Sequence, residues 1–216
     1  MFYCLSIGTR FLAYTATVDE VPISVISHGI GGPSVATVLQ ELGHPRILVR
    51  FGSCSVLKKE PLPGESAICT AACCYDGTSD IWLPLGFPAA ADSLVTQALI
   101  ASAAALRQKY HVGVGVTTAD FYGGQGRPDA DGHLDPVLQA RHEKVIQLGA
   151  LCYDMEAATV LAWAQAKKVP AGVILAIYGN RITNELEIQG DEMTFQVALS
   201  AILSLHRQFF DKPMTG

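Results

Sequence analysis

The chain has 216 residues, of which half are hydrophobic and only 16% charged, with a formal net charge of −5. That balance suits one compact domain with a sizeable core, residues 1–216, and excludes a charged disordered binder or a basic nucleic-acid surface. Apolar runs are broken by Pro, Gly, Asp or Gln well before a membrane span, and Met1–Leu5 has no basic leader, so a cytoplasmic protein without membrane or nucleic-acid partners is expected.

In chain order, Phe11 to Val18 alternates as a strand, Asp19-Glu20 turns, and Val21 to Ile26 returns, which predicts a hairpin. Gly29-Ile30-Gly31-Gly32 leads into Pro33-Ser34 and a helical pattern through Leu42, with Pro pre-set for a first helical turn. Ile47 to Phe51 reads as a buried strand emptying into a small-residue loop, Gly52 to Ser55. A further strand is predicted around Ser66 to Ala71, a helix over Ala89 to Arg107, and a strand over Val112 to Val116. A polar segment, Pro128 to His142, precedes a helical pattern reaching Leu148. Leu151 to Asp154 reads as a strand end, Ala157 to Lys168 as a helix, Val173 to Ile177 as the last core strand, and Glu192 to Phe209 as an amphipathic helix. This alternation predicts an α/β fold: a mixed, mostly parallel central sheet flanked by helices in three layers, with its site at the carboxyl ends of the strands. The six cysteines (Cys4, Cys54, Cys69, Cys73, Cys74, Cys152) lack zinc-site spacing, so buried reduced thiols and no metal are expected.

Four places concentrate polar chemistry. Arg50 stands in an otherwise apolar strand, where an unpaired cation is costly; it either pairs with a carboxylate or holds an anion with Ser53 and the Gly52–Ser55 amides. Asp154-Met155-Glu156 follows a strand, where a carboxylate either grips sugar hydroxyls or favours the N-terminus of the next helix. Phe121-Tyr122-Gly123-Gly124-Gln125-Gly126-Arg127 combines an aromatic face, a planar carboxamide and a guanidinium fork among three glycines. Those groups can read the edge of a flat amide-bearing ring such as uracil. Arg181 follows Gly179-Asn180 beyond the last core strand, either in the site or as a solvent-facing turn residue. His28, before the glycine turn, is expected to be structural. Gly29-x-Gly31-Gly32 lacks the acidic residue of a dinucleotide fingerprint, and no redox cofactor is implied.

Taken together these segments resemble the uridine phosphorylases of the nucleoside phosphorylase superfamily, over most of the chain and in order. Ser27 to Ser34 looks like that family's glycine turn, Arg50-Phe51-Gly52-Ser53 like its phosphate strand, Phe121 to Arg127 like its uracil loop, Asp154-Met155-Glu156 like its ribose motif, and Asn180-Arg181 like a late pair beside the base. The resemblance implies phosphorolysis of uridine to uracil and ribose 1-phosphate, with inorganic phosphate as co-substrate. It implies that Arg50, Ser53 and Arg10 bind phosphate. Phe121, Gln125, Arg127 and Arg181 would bind the base, and Asp154, Met155 and Glu156 the ribose. Arg50, Glu156 and Arg127 would carry catalysis. It also implies a homo-oligomer, a dimer or a hexamer of dimers. Three departures stand out: the family's opening Gly-Asp-Pro phosphate loop has no counterpart, so the domain is expected to be N-terminally truncated; Ser55 replaces a glycine; and Asp154 is one methylene shorter than the family's Glu. A nucleoside-binding relative without turnover, or a purine nucleoside phosphorylase or nucleosidase of the same fold, is the alternative.

Overall fold

The computed structural model describes residues 11–209. It opens with the expected hairpin, β1 (Ala13–Val18) and β2 (Val21–Ile26), paired antiparallel in full register. The turn places both Asp19 (φ 47°) and Glu20 (φ 66°) in the left-handed region, matching the twist of the flanking strands. Helix α1 (Gly32–Glu41) follows, with Pro33 in its first turn and Gly31 (φ 90°) entering it. A β-carbon at Gly32 would lie 2.6 Å from Thr78 Oγ1 and 2.8 Å from Thr159 Oγ1, so the glycine lets the start of α1 lie close to α4 (Ala157–Lys167).

The remaining elements are β3 (Leu48–Val56), β4 (Ser66–Tyr75), β5 (Ala89–Ala90), α2 (Ser93–Ala105), β6 (Tyr110–Thr118), α3 (Pro136–Gln147), β7 (Cys152–Asp154), β8 (Ala171–Asn180), β9 (Glu185–Leu186) and α5 (Asp191–Phe209). The sheet order is β5-β4-β6-β7-β3-β8-β9. The two long ladders, β4–β6 and β3–β8, are parallel, and antiparallel pairing is confined to shorter contacts. One of these, Ser66–Cys69 against Val173–Ala176, joins β4 to β8 and closes β4, β6, β7, β3 and β8 into a ring. Helices α1 and α4 pack on one core cluster around Trp163, Leu161 and Leu175, while α2 and α5 pack on another around Ile68, Leu99 and Ile174. Among the described residues no helix is long and apolar enough to cross a membrane.

Three expectations need correction. Gly52 to Ser55 is not a loop: β3 continues through it to Val56. The glycine serves space rather than a turn, since a β-carbon at residue 52 would lie 2.8 Å from Arg50 Nη2. The polar run before His142 is not irregular throughout, because Asp135 caps α3 by accepting from Val137 and Leu138 N–H groups. Ala89-Ala90 is a short strand, and α2 begins only after the Asp92 cap, which accepts from Leu94 and Val95.

Of the cysteines, Cys54, Cys69 and Cys152 are buried, Cys73 and Cys74 half-buried, and all five are free thiols; Cys4 lies outside the described residues. Gly115 of β6 opens the gap through which Cys69 and Cys152 approach to 3.9 Å from the two strands beside it.

Candidate functional site

Arg50 stands inside a strand, as expected, but the strand runs on past it to Val56. It is the third residue of β3, not the rim of a carboxyl end, and β3 runs antiparallel to β7. β7 pairs with the end of β3, Ser55 and Val56, and runs back from there towards Arg50, which puts Asp154 on the Arg50 side of the paired residues. The result is a buried ionic cluster. Arg50 Nη2 lies 2.6 Å from Glu156 Oε2 and 3.2 Å from Asp154 Oδ2, and Nε donates to Asp154 Oδ2 at 3.3 Å. All three residues are at most 7% exposed. Of the two readings of Arg50, the pairing with carboxylates is the one the structure shows.

Asp154 spends both oxygens on structure. Oδ1 accepts from Thr117 Oγ1 at 2.6 Å, and Oδ2 accepts from the N–H groups of Glu156 (3.1 Å) and Ala157 (2.7 Å), besides Arg50. This is the helix-start role, now shown for α4. Glu156 Oε1 takes the Gly31 N–H at 2.5 Å, so its carboxylate bridges the glycine turn and Arg50. Burial pushes the Glu156 carboxyl above its ordinary range, against the opposing pull of Arg50. Met155 lies between the two carboxylates and is half-buried.

Ser53 is half-buried and is not drawn into this cluster. Arg50 folds over Gly52, and strand alternation turns Ser53 to the other face. Arg10 lies outside the described residues. His28, expected to be structural, is bonded to the cluster: its Nε2 is 2.9 Å from Arg50 Nη1. The signal in the sequence was its position directly before the glycine turn that also supplies the Gly31 amide.

A second group forms where the loop after β6 crosses the end of β3. Gln125 is buried, and its Oε1 accepts from Arg127 Nη1 at 3.0 Å. Arg127 Nη2 donates to Ser55 Oγ at 3.2 Å, and the guanidinium carbon stands 4.2 Å from the centre of the Phe121 ring. Phe121 and Tyr122 pack edge to face, and both rings remain substantially exposed. Asp120 holds the loop by accepting from the Tyr122 and Gly124 amides. Arg181 joins this group: its N–H donates to Val56 O at 2.9 Å and its Nη2 to Gly126 O at 3.0 Å. Asn180, by contrast, is consumed by structure, with Nδ2 on the Lys58 and Pro61 carbonyls and Oδ1 on the Ile182 and Thr183 amides.

Ser55 and His142 are the residues that sequence reasoning did not place here. His142 lies under Gly126, where a β-carbon would be 2.3 Å from its ring, and stacks on Tyr153 with ring centres 5.8 Å apart. Burial and then the neighbouring Arg181 hold Arg127 down to about 10 and lower His142 as well. The loop is thus a cationic, donor-rich surface beneath an aromatic face.

Arg50 and His28 also border a cavity of about 1040 Å³ between the hairpin, α1, β3 and α5. No residue of the Phe121–Arg127 loop lines it. Along this cavity, among the described residues, β3 from Leu48 to Cys54 pairs only with β8, because its contact with β7 begins at Ser55.

Comparison with known proteins converges on one family. The model of the phosphorylase superfamily matches residues 4–210. The chain is 34% identical to the uridine phosphorylase of Thermococcus kodakarensis over 209 residues, spanning 96% of this chain and 76% of that protein. It is 32% identical to the uridine phosphorylase of Escherichia coli over 180 residues, 82% of this chain and 71% of the relative. A guanosine phosphorylase from Halorubrum lacusprofundi is 30% identical over 169 residues, 77% of this chain and 65% of that protein.

Proposed function

This chain belongs to the phosphorylase superfamily, and on that premise we propose that it is a pentosyltransferase cleaving uridine with inorganic phosphate to uracil and ribose 1-phosphate. The observation that carries the reading is the interlocked Gln125–Arg127 pair on the loop after β6. Among the described residues, Gln125 keeps two Nε2 hydrogens and a second lone pair on Oε1, and Arg127 keeps its Nε hydrogen and one on Nη2. Donors flanking one acceptor fit a ring edge that presents carbonyl, N–H and carbonyl in sequence. Phe121 offers its exposed face beside them, and Arg181 braces the loop through Gly126 O.

In this reading the glycosidic bond stretches first and leaves an oxocarbenium-like sugar. The Glu156 carboxylate and the phosphate stabilise that positive charge. Gln125 and Arg127 stabilise the negative charge that grows on departing uracil. Arg50 is the cationic ligand for phosphate, which captures the sugar, and much of the rate comes from positioning. Met155 lies beside the ribose, and Asp154 orients Arg50 and the start of α4. The reaction needs no redox cofactor or metal.

Pyrimidine preference is supported by the late loop, where Ile177-Tyr178-Gly179-Asn180-Arg181 has no carboxylate before Glu185 to serve a purine nitrogen. We further infer a homo-oligomer, a dimer or a hexamer of dimers, in the cytoplasm, where the free thiols stay reduced. The test is parallel turnover of uridine, inosine and guanosine with phosphate. Uridine cleavage at least tenfold faster than either purine supports the reading, and preferential cleavage of a purine nucleoside overturns it.

A further inference from the structure

His28 has no part in the reaction as described above, yet it touches the arginine on which phosphate binding depends. A guanidinium donates and cannot accept, so the 2.9 Å contact between Arg50 Nη1 and His28 Nε2 runs from the arginine to the imidazole. Nε2 must then carry a lone pair, and the ring's single proton resides on Nδ1. Nδ1 is buried and has no hydrogen-bond partner among the described residues. Protonating the ring would add a positive charge against Arg50, and burial followed by that arginine's charge lowers the His28 pKa to about 4.

The other nitrogens of Arg50 are held by carboxylates: Nε by Asp154, Nη2 by Glu156 and Asp154. Among the described residues Nη1 is the one guanidinium nitrogen with no carboxylate, and His28 takes one of its two hydrogens. The backbone that carries the imidazole is anchored, because Ser34 Oγ donates to the His28 carbonyl at 2.5 Å. The same turn presents Gly31 N–H to Glu156. The glycine turn therefore grips the ion pair at both ends, Arg50 through a side chain and Glu156 through an amide. We propose that His28 is a positioning residue of the phosphate site, a neutral acceptor that fixes Arg50 Nη1 so that its remaining N–H is presented to the phosphate. The charged groups around it are Arg50 from β3, with Asp154 and Glu156 behind the guanidinium; the cavity that His28 borders also carries Glu41, His44, Arg46 and His206.

This inference rests on the phosphorolysis reading, and the test separates the two. Phosphate binding to the full chain is measured by calorimetry without nucleoside, and the KM values for phosphate and uridine are measured separately. A hydrogen bond to a charged group is worth about 10- to 100-fold in affinity. His28→Ala is expected to weaken phosphate by about that factor while leaving the uridine KM within about twofold. His28→Gln, which keeps an acceptor near the same place, is expected to recover most of the loss. A wild-type protein that does not bind phosphate overturns the phosphorolysis reading and this role with it. Phosphate bound equally by wild type and His28→Ala overturns the role of His28 alone. Should His28→Ala fail to fold, nitrogen NMR of the wild-type ring decides: the Nδ1–H tautomer at neutral pH supports the assignment, and an Nε2–H tautomer or an imidazolium overturns it.

Discussion

Ser55 meets Arg127 because residue 179 is a glycine: a β-carbon there would lie 2.9 Å from Ser55 Oγ, the atom that accepts the Arg127 Nη2 hydrogen at 3.2 Å. The β3–β8 register makes the pair, since a bulge at Cys54/Ser55 skips Tyr178 and sets Ser55 opposite Gly179. Gly179→Ala is expected to displace the hydroxyl and free one arm of the guanidinium. Loss of one hydrogen bond to a charged group corresponds to about 1.5–3 kcal/mol at most. We expect the uridine KM to rise about tenfold in Gly179→Ala and in Ser55→Ala, with kcat less affected and the phosphate KM unchanged, as steady-state kinetics would read.

The Arg50 cluster predicts a stability effect besides a catalytic one. Removing one member of a buried ion pair costs about 3–5 kcal/mol, because the partner stays buried and unpaired. Arg50→Ala strands both Asp154 and Glu156, so denaturant unfolding should show a loss of that order together with loss of phosphate-dependent turnover. Glu156→Gln keeps an amide oxygen for Gly31 and should fold with a smaller loss, while its kcat falls because no negative charge faces the developing sugar cation.

Gly126 couples the base loop to the ring beneath it. Its φ of +67° favours glycine, and a β-carbon would come within 2.3 Å of His142. Gly126→Ala should therefore shift the Gln125–Arg127 pair and raise the uridine KM by an order of magnitude or more, with phosphate binding by calorimetry unchanged. Adding His142→Ala removes the clash and should restore part of the loss. The strain of a left-handed alanine, about 1 kcal/mol, should remain.

Two buried groups titrate in opposite senses. His28 is lowered from 6.5 to about 4, so its contribution to stability is present above pH 6.5 and is lost as pH falls towards 4. Glu156 is raised above 4.5 by burial, so its contribution is present below 4.5 and is lost as pH rises through the shifted value. Urea unfolding should show wild type losing more stability than His28→Gln between pH 7 and pH 4.5. The acid limb of kcat should lie above 4.5, because the reaction uses the Glu156 carboxylate.

Much of this was legible in the residues. Alternation gave the hairpin, the α-β order and the long strands, and Phe121 to Arg127 announced itself as a donor-rich loop by residue type alone. What was not legible came from pairing across the sheet. Gly52 to Ser55 reads as a loop because small residues favour turns, whereas the glycine is needed for the arginine folded over it. That β3 runs opposite to β7, which brings Arg50 to Asp154 and Glu156, is a property of topology that local sequence does not encode. Asp154 carried two readings that only the Glu156 and Ala157 amides could separate. His28 and Ser55 belong to the site through contacts 22 and 72 residues away in the chain, beyond the reach of any local pattern.

The most direct test of phosphorolysis is phosphorus NMR of the full chain incubated with uridine and inorganic phosphate, with uracil quantified in the same sample. The account predicts that inorganic phosphate is converted to a sugar phosphate ester in equal amount to the uracil released, and that nothing is released when phosphate is omitted. Uracil released without ester, or at the same rate without phosphate, would contradict it, as would a phosphate signal unchanged at high protein concentration.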